Sequence, residues 1–204
     1  MRTQLTQLRL SFAKRGIAAT IRAGLRAAYC DLLTALSAPL RHSLHGDPFR
    51  ALFDEFVAEA NRASGLRILE IGARNVSGHT NRYLFGSRHE YVGFDYHAGD
   101  NVDVVGDAHE LSRLVPAESF DVVFTIATFE HLLMPWQVVL EIAKVLKPGG
   151  RLFIATHPAW PAHERPWDFW RFSSESFDAL LNRHTGFRIL KRAEGMPAAI
   201  LPLV

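Results

Sequence analysis

Residues 120–126 read FDVVFTI, and this run constrains the fold more than any other stretch of the chain. A strand with one face in water alternates apolar and polar side chains; this one is nearly all apolar, as a strand covered on both faces must be. Related short runs recur along the chain at residues 67–71 (RILEI), 91–95 (YVGFD), 102–105, 151–155 and 187–193. Helical segments stand between them. Residues 135–146 predict a helix stopped by Pro148-Gly149-Gly150, and residues 174–181 a second, capped by Ser173 or Ser174. Strands alternating with helices predict an α/β fold, a mostly parallel sheet with helices on both faces.

The N-terminal part has a different character. Residues 1–38 carry apolar positions near a 3.6-residue period (Leu5, Leu8, Phe12, Ile17, Ile21, Leu25, Leu32, Leu36), with Arg15, Arg22 and Arg26 on another face. Pro39 ends this pattern, and a linker leads to a further helix beginning near Pro48. Residues 1–45 hold seven Lys/Arg (Arg2, Arg9, Lys14, Arg15, Arg22, Arg26, Arg41) against one acid, Asp31, so an extension of +6 precedes a body of −4. The expected organisation is a basic helical extension over 1–45 and a folded domain over 46–204. The basic helix has three readings: packing on the domain, peripheral contact of residues 1–38 with an anionic membrane, and nucleic-acid contact. The acidic body argues against the last, so no nucleic-acid partner is expected.

Composition closes off other classes. At 48% apolar and 22% charged residues the chain is not intrinsically disordered. One cysteine, Cys30, supports neither a disulfide framework nor a Cys-rich zinc module. No apolar run approaches the ~20 residues that cross a bilayer, and no secretory signal is evident, so the expected location is the cytoplasm, or the inner face of its membrane.

Ligands of open α/β sheets bind beyond the carboxyl ends of the strands. Strand one runs into Gly72-Ala73-Arg74, where glycine lets backbone approach a ligand but Arg74 replaces the second glycine of a dinucleotide turn. Strand two ends in Asp95, an acid able to accept from both hydroxyls of a ribose. Strand three leads to Gly106-Asp107-Ala108, a carboxylate beside a small residue, suited to the edge of an adenine. Strand four ends at Thr125, Ile126 and Ala127. A helix cap or a solvated loop is the bland role of Asp95.

The stretches ILEIGARNVSG, YVGFD, VVGDAHEL, FDVVFTIATFEHLLMPW and EIAKVLKPGGRLFIATH, in this order, resemble the class I S-adenosylmethionine (SAM)-dependent methyltransferases, in particular the bacterial type 11 group. The resemblance covers residues 66–157, with a plausible helix and strand to 193. It implies a Rossmann-like sheet and SAM as cofactor. Residue by residue it implies Glu70 and Gly72 at the methionine end, Asp95 on the ribose, Phe94 or Tyr96 near the adenine, and Asp107 and Ala108 at the adenine edge. Thr125 to Ala127 would line the sulfonium side, and His131 would stand above the reacting centre. The departure is Gly72-Ala73-Arg74, where most members have further glycines.

Methyl transfer from a sulfonium relies on placement, which supplies about 7–11 kcal/mol in well-oriented reactions. A general base adds when the acceptor is a hydroxyl. His131 and His157 are the candidate catalytic residues, with His163 a further candidate base. Residues 157–172 (HPAWPAHERPWDFWRF) are rich in aromatics and suit a wall or lid for a small or glycan-like acceptor. His157, His163 and Glu164 lack HExxH spacing, and no metal is expected. After residue 193 the chain leaves only a short segment for a seventh strand between strands five and six, and Pro202 suits it poorly. The expected activity is O-methylation of a small-molecule or glycan-like acceptor. The alternatives are a non-catalytic protein of this fold partnering an active enzyme and, more weakly, an NAD-dependent oxidoreductase.

Overall fold

The computed structural model describes residues 48–195 except 77, together with residues 21, 22, 24, 25, 28, 29 and 32. The seven described residues of the expected N-terminal helix are helical; the rest of that helix, and the seventh strand expected over residues 198–204, lie outside the described residues. Residues Pro48–Gly195 form one compact unit. Among the described residues no helix is long and apolar enough to cross a membrane.

Helix α1 (Pro48–Ala60) begins with proline, whose fixed φ suits a first helical turn. Five parallel strands follow: β1 (Arg67–Ile71), β2 (Glu90–Asp95), β3 (Val104–Val105), β4 (Phe120–Ile126) and β5 (Leu146–Ala155). Their order across the sheet is β3-β2-β1-β4-β5. Short helix α2 (Leu111–Leu114) precedes β4, α3 (Pro135–Val145) joins β4 to β5, and α4 (Ser176–Leu180) follows β5. Because β1 pairs with β2 on one side and β4 on the other, the chain reverses its direction of travel across the sheet between β1 and β4. That reversal opens the crevice in which ligands of such sheets bind.

The apolar run of β4 is covered on both faces, as expected. Val123 joins Leu69, Ile71, Leu111, Val138, Val139, Ile142 and Leu180 in one buried cluster. Val122 and Phe124 join Phe53, Val57, Ile68, Phe85 and Phe153 in the other. The second cluster is dense in rings: Phe53 lies 5.2 Å from Phe153 and 5.8 Å from Phe124, centroid to centroid, and Phe85 lies 5.2 Å from Phe124. Burying one such side chain is worth about 1.5–3 kcal/mol, so α1 is fastened to the sheet by its phenylalanines.

Three expectations are corrected. Residues 187–193 form no strand. The Phe187 N–H turns back to the Asn182 carbonyl at 3.0 Å; Phe187 still packs against the core, while Leu190 is exposed. Strand three is shorter than expected, Val104–Val105, since Asp103 turns its carboxylate to the Gly93 N–H and to Arg82. Strand β5 starts earlier, at Leu146, taking in Pro148-Gly149-Gly150 with a register shift against β4 between Phe120 and Val122. These residues end α3 and at once resume sheet pairing.

Candidate functional site

All five carboxyl ends lie at one edge, because the strands are parallel. At the end of β1, Gly72 takes φ +81°, a left-handed conformation that favours glycine. A Cβ there would fall inside the Thr128 hydroxyl. The turn closes onto β2: the N–H groups of Gly72 and Ala73 both donate to the Phe94 carbonyl, at 2.9 and 3.0 Å. The Asn75 N–H donates to the Asp100 carbonyl at 3.0 Å.

Asp95 ends β2 beside this turn. Its Oδ2 accepts the Arg74 N–H at 3.0 Å and its Oδ1 accepts the His97 N–H at 2.9 Å. A carboxylate offers about four lone-pair sites, so two acceptor positions remain. The Arg74 side chain lies over Gly99, its Cγ 2.9 Å from where a Cβ would stand, and its Nε is 3.8 Å from Asp95 Oδ1. That Nε is buried with no hydrogen-bond acceptor. Arg74 therefore occupies the flank of Asp95 at the point where the sequence lacks its expected glycine.

Glu70 is buried and held by three donors: Asn81 Nδ2 at 2.8 Å, Asn101 Nδ2 at 3.0 Å, and the Tyr91 hydroxyl. Burial pushes its carboxyl above the ordinary range, against the pull of those hydrogen bonds and of Arg82. Burial and the Glu70 carboxylate together push the Tyr91 hydroxyl strongly upward. Asn101 also donates to the Ala73 carbonyl at 2.8 Å, so the Glu70 network braces the turn after β1 from beneath.

Asp107 follows β3 and caps the short 3-10 helix Ala108–Glu110 through the His109 N–H at 2.9 Å. Burial raises its carboxyl, but the backbone and ring of His109 outweigh burial and hold it below the usual range. The His109 ring meets Asp107 Oδ1 at 2.5 Å and its Nε2 accepts the Met134 N–H at 3.1 Å, tying this corner to the start of α3. Ala108 is buried in the core. Thr125, in β4 opposite Ile71, is fully buried, and its hydroxyl has no partner.

Beyond β4 the 3-10 helix Phe129–His131 carries a buried acid, Glu130, which sequence reasoning passed over. Its Oε2 accepts the Thr156 hydroxyl at 2.7 Å, its Oε1 accepts no hydrogen bond, and His157 Nε2 stands 3.4 Å from that oxygen. Its carbonyl accepts the N–H groups of Phe169 and Trp170 at 2.9 and 3.1 Å. The signal was an acid directly beside His131 at a strand end. His131 Nδ1 lies 2.8 Å from the Trp167 carbonyl. A carbonyl can only accept, so Nδ1 carries the proton and Nε2 keeps its lone pair. His157 stacks on Trp160 at 4.9 Å, and His163 meets His131 edge-on at 4.8 Å. The three histidines thus converge.

The aromatic segment 157–172 is braced rather than loose. Asp168 receives both terminal nitrogens of Arg171, at 2.6 and 2.8 Å, and the His163 N–H at 3.0 Å. These hydrogen bonds hold its carboxyl far below the usual range. Arg171 also donates to the Trp160 carbonyl at 3.1 Å and the Trp170 carbonyl at 2.6 Å. Trp170 Nε1 donates to the Leu132 carbonyl at 2.8 Å, and its ring meets Trp136 edge-on. Trp160 and Trp167 remain more than half exposed.

Residues 69–154 match the family model described as a methyltransferase domain. The resemblance read from the sequence is borne out over this segment, which holds the sheet from β1 to β5. No curated protein matches the chain. Among solved structures, a SAM-dependent methyltransferase from Aquifex aeolicus is 19% identical, with 79% of this chain and 89% of that one covered and a TM-score of 0.50. The [4+2]-cyclase SpnF is 21% identical over 68% of this chain and 57% of that one, with a TM-score of 0.51. The CurJ carbon methyltransferase is 21% identical over 65% and 45%, with a TM-score of 0.50. These likenesses show the fold, a Rossmann-like parallel sheet. In three other matching structures the match spans 50%, 51% and 52% of this chain and 35%, 49% and 52% of theirs.

Proposed function

We propose that the chain is a SAM-dependent methyltransferase that transfers a methyl group to a hydroxyl of a small-molecule or glycan-like acceptor. The observation that carries the reading is the pair of carboxylates, Asp95 and Asp107, at the ends of β2 and β3 beside the left-handed Gly72 turn. The residues present fit the cofactor on three counts. Asp95 has two acceptor positions left for ribose hydroxyls. Asp107 is held ionised and can accept from an exocyclic amine. The Arg74 Nε beside Asp95 is a buried polar atom without a hydrogen-bond partner.

SAM supplies a sulfonium methyl that needs little activation, so the chain's task is placement. Glu70 contributes indirectly, by bracing the turn through Asn101. His131 and His157 are the candidate bases. The Trp167 carbonyl fixes the His131 proton on Nδ1, leaving Nε2 free to accept one from a hydroxyl. His157 is oriented by its stacking on Trp160 and by the facing Glu130. The exposed faces of Trp160 and Trp167 suit stacking against a sugar or an aromatic ring.

Calorimetric titration with S-adenosylhomocysteine tests the cofactor: binding is expected, and a folded sample that binds none rejects the proposal. Labelled SAM offered with glycan, lipid and small-molecule fractions then identifies the acceptor. A second reading, a non-catalytic binding protein of this fold, is favoured by the Arg74 side chain lying against Asp95; methyl transfer to any acceptor removes it. Peripheral membrane contact through residues 1–38 and a cytoplasmic location belong to the proposal as well, and co-sedimentation with anionic vesicles tests the former.

A further inference from the structure

Glu130, His131 and His163 each place one ligand atom so that all three lie within 4.8 Å of one another. We propose that these residues form a binding site for a divalent transition cation of the zinc type. The inference does not rest on the functional reading above, since cation binding is measured without cofactor or acceptor; a cation held on His131 Nε2 would leave His157 as the candidate base.

Three features support it. The first is the state of the two rings. His131 Nδ1 lies 2.8 Å from the Trp167 carbonyl and His163 Nδ1 lies 3.1 Å from the Pro161 carbonyl. Both Nδ1 atoms must donate, so both rings present Nε2 as a lone pair. A ring N–H spent on a backbone carbonyl is the usual support of an imidazole that ligates through its other nitrogen. The second is Glu130. It is fully buried, and its Oε1 accepts no hydrogen bond, with His157 Nε2 standing 3.4 Å from it. A buried carboxylate oxygen without a donor is costly, and a cation relieves that cost. Arg171 is within electrostatic reach of Glu130, but its N–H groups are directed at Asp168 and at the carbonyls of Trp160, Pro161 and Trp170.

The third is rigidity and size. His163 sits on the segment that Arg171 and Asp168 fasten, and Glu130 receives two N–H groups of that segment on its carbonyl. Ligand bonds of about 2.1 Å in tetrahedral array set ligand atoms about 3.4 Å apart, against a present spread of up to 4.8 Å. Two imidazoles and a carboxylate suit Zn²⁺ among available cations. Three protein ligands leave a coordination position open, as at sites that bind a water or a substrate oxygen. The ligands come from residues 130, 131 and 163, on two segments far apart in sequence, which is why no contiguous metal motif marks them.

The test titrates the metal-stripped full chain with Zn²⁺ by calorimetry, and with Co²⁺ by visible absorption. One equivalent should bind, with a d–d band of nitrogen and oxygen ligation. His163→Gln and His131→Gln should each weaken Zn²⁺ binding about a hundredfold or more, beyond the 10–100-fold typical of losing a supporting contact. His184→Gln, at an exposed histidine outside the cluster, should leave binding unchanged. If either cluster variant fails to fold, the wild-type Co²⁺ spectrum decides. Absence of a stoichiometric band, or binding that both cluster variants retain in full, overturns the proposal.

Discussion

Asp95 Oδ2 accepts the backbone N–H of Arg74 at 3.0 Å, while the guanidinium Nε of the same arginine stands 3.8 Å from Oδ1. The acid proposed for ribose is therefore already attended by the residue that replaces a glycine. Two substitutions separate the roles. Asp95→Ala should lower S-adenosylhomocysteine affinity at least tenfold, since hydrogen bonds to a charged group are each worth about 1.5–3 kcal/mol. Arg74→Ala should tighten it up to about fivefold, because a partly exposed ion pair at this distance is worth about 0–1 kcal/mol. Calorimetry on both variants checks the pair, with circular dichroism confirming the fold.

Gly72 and Thr128 share one space. Gly72→Ala places a Cβ inside the Thr128 hydroxyl at a positive φ, and should destabilise the protein by about 2–4 kcal/mol, combining backbone strain with overpacking. Adding Thr128→Ala removes the hydroxyl and should recover part of that loss, leaving the strain. Urea midpoints of the single and double variants give the coupling.

The buried Glu70 gives a pH signature of a definite sign. Burial raises its folded-state pKa above the unfolded value, so the native state binds more protons and stability falls as pH rises from about 4.5 through the folded pKa. Tyr91→Phe removes a donor that favours the ionised form. It should cost about 1–3 kcal/mol at neutral pH and less in mild acid. Urea titrations between pH 4 and 8, at about one-unit steps, read this trend directly.

Glu141 has the opposite sign. Burial raises its carboxyl, but Lys144 and the Ser112 N–H outweigh it and hold the pKa below the ordinary value of 4.5. Its contribution is present above that value and is lost as pH falls through the lowered pKa. Glu141→Gln should cost about 1 kcal/mol at neutral pH, discounted because Lys144 is half exposed. It should also flatten the acid limb of the stability curve, seen in thermal midpoints from neutral pH downward.

The sheet could be read from the chain because its signals are local. The seven residues of β4 lie where their nearly continuous apolarity puts them, and Pro135 opens α3 as a proline at a first turn should. The site was only half legible. Gly72, Asp95 and Asp107 announce themselves at strand ends, but what each touches does not. Asn81 and Asn101 reach Glu70 across separations of 11 and 31 residues. Thr128 lies over Gly72 from the turn after β4, and Glu130 meets Thr156 26 positions later and Trp170 of the aromatic segment 40 positions later. Such partners depend on strand order, which periodicity does not encode.

The double clasp of Arg171 on Asp168, reinforced from the Glu130 carbonyl, has a consequence for how an acceptor would be selected. A surface set before its guest arrives loses little freedom on arrival, and it cannot reshape itself around a poor guest. Discrimination would then fall on outline and girth: congeners that match the tryptophan-lined surface would be accepted at similar strength, and bulkier ones refused outright.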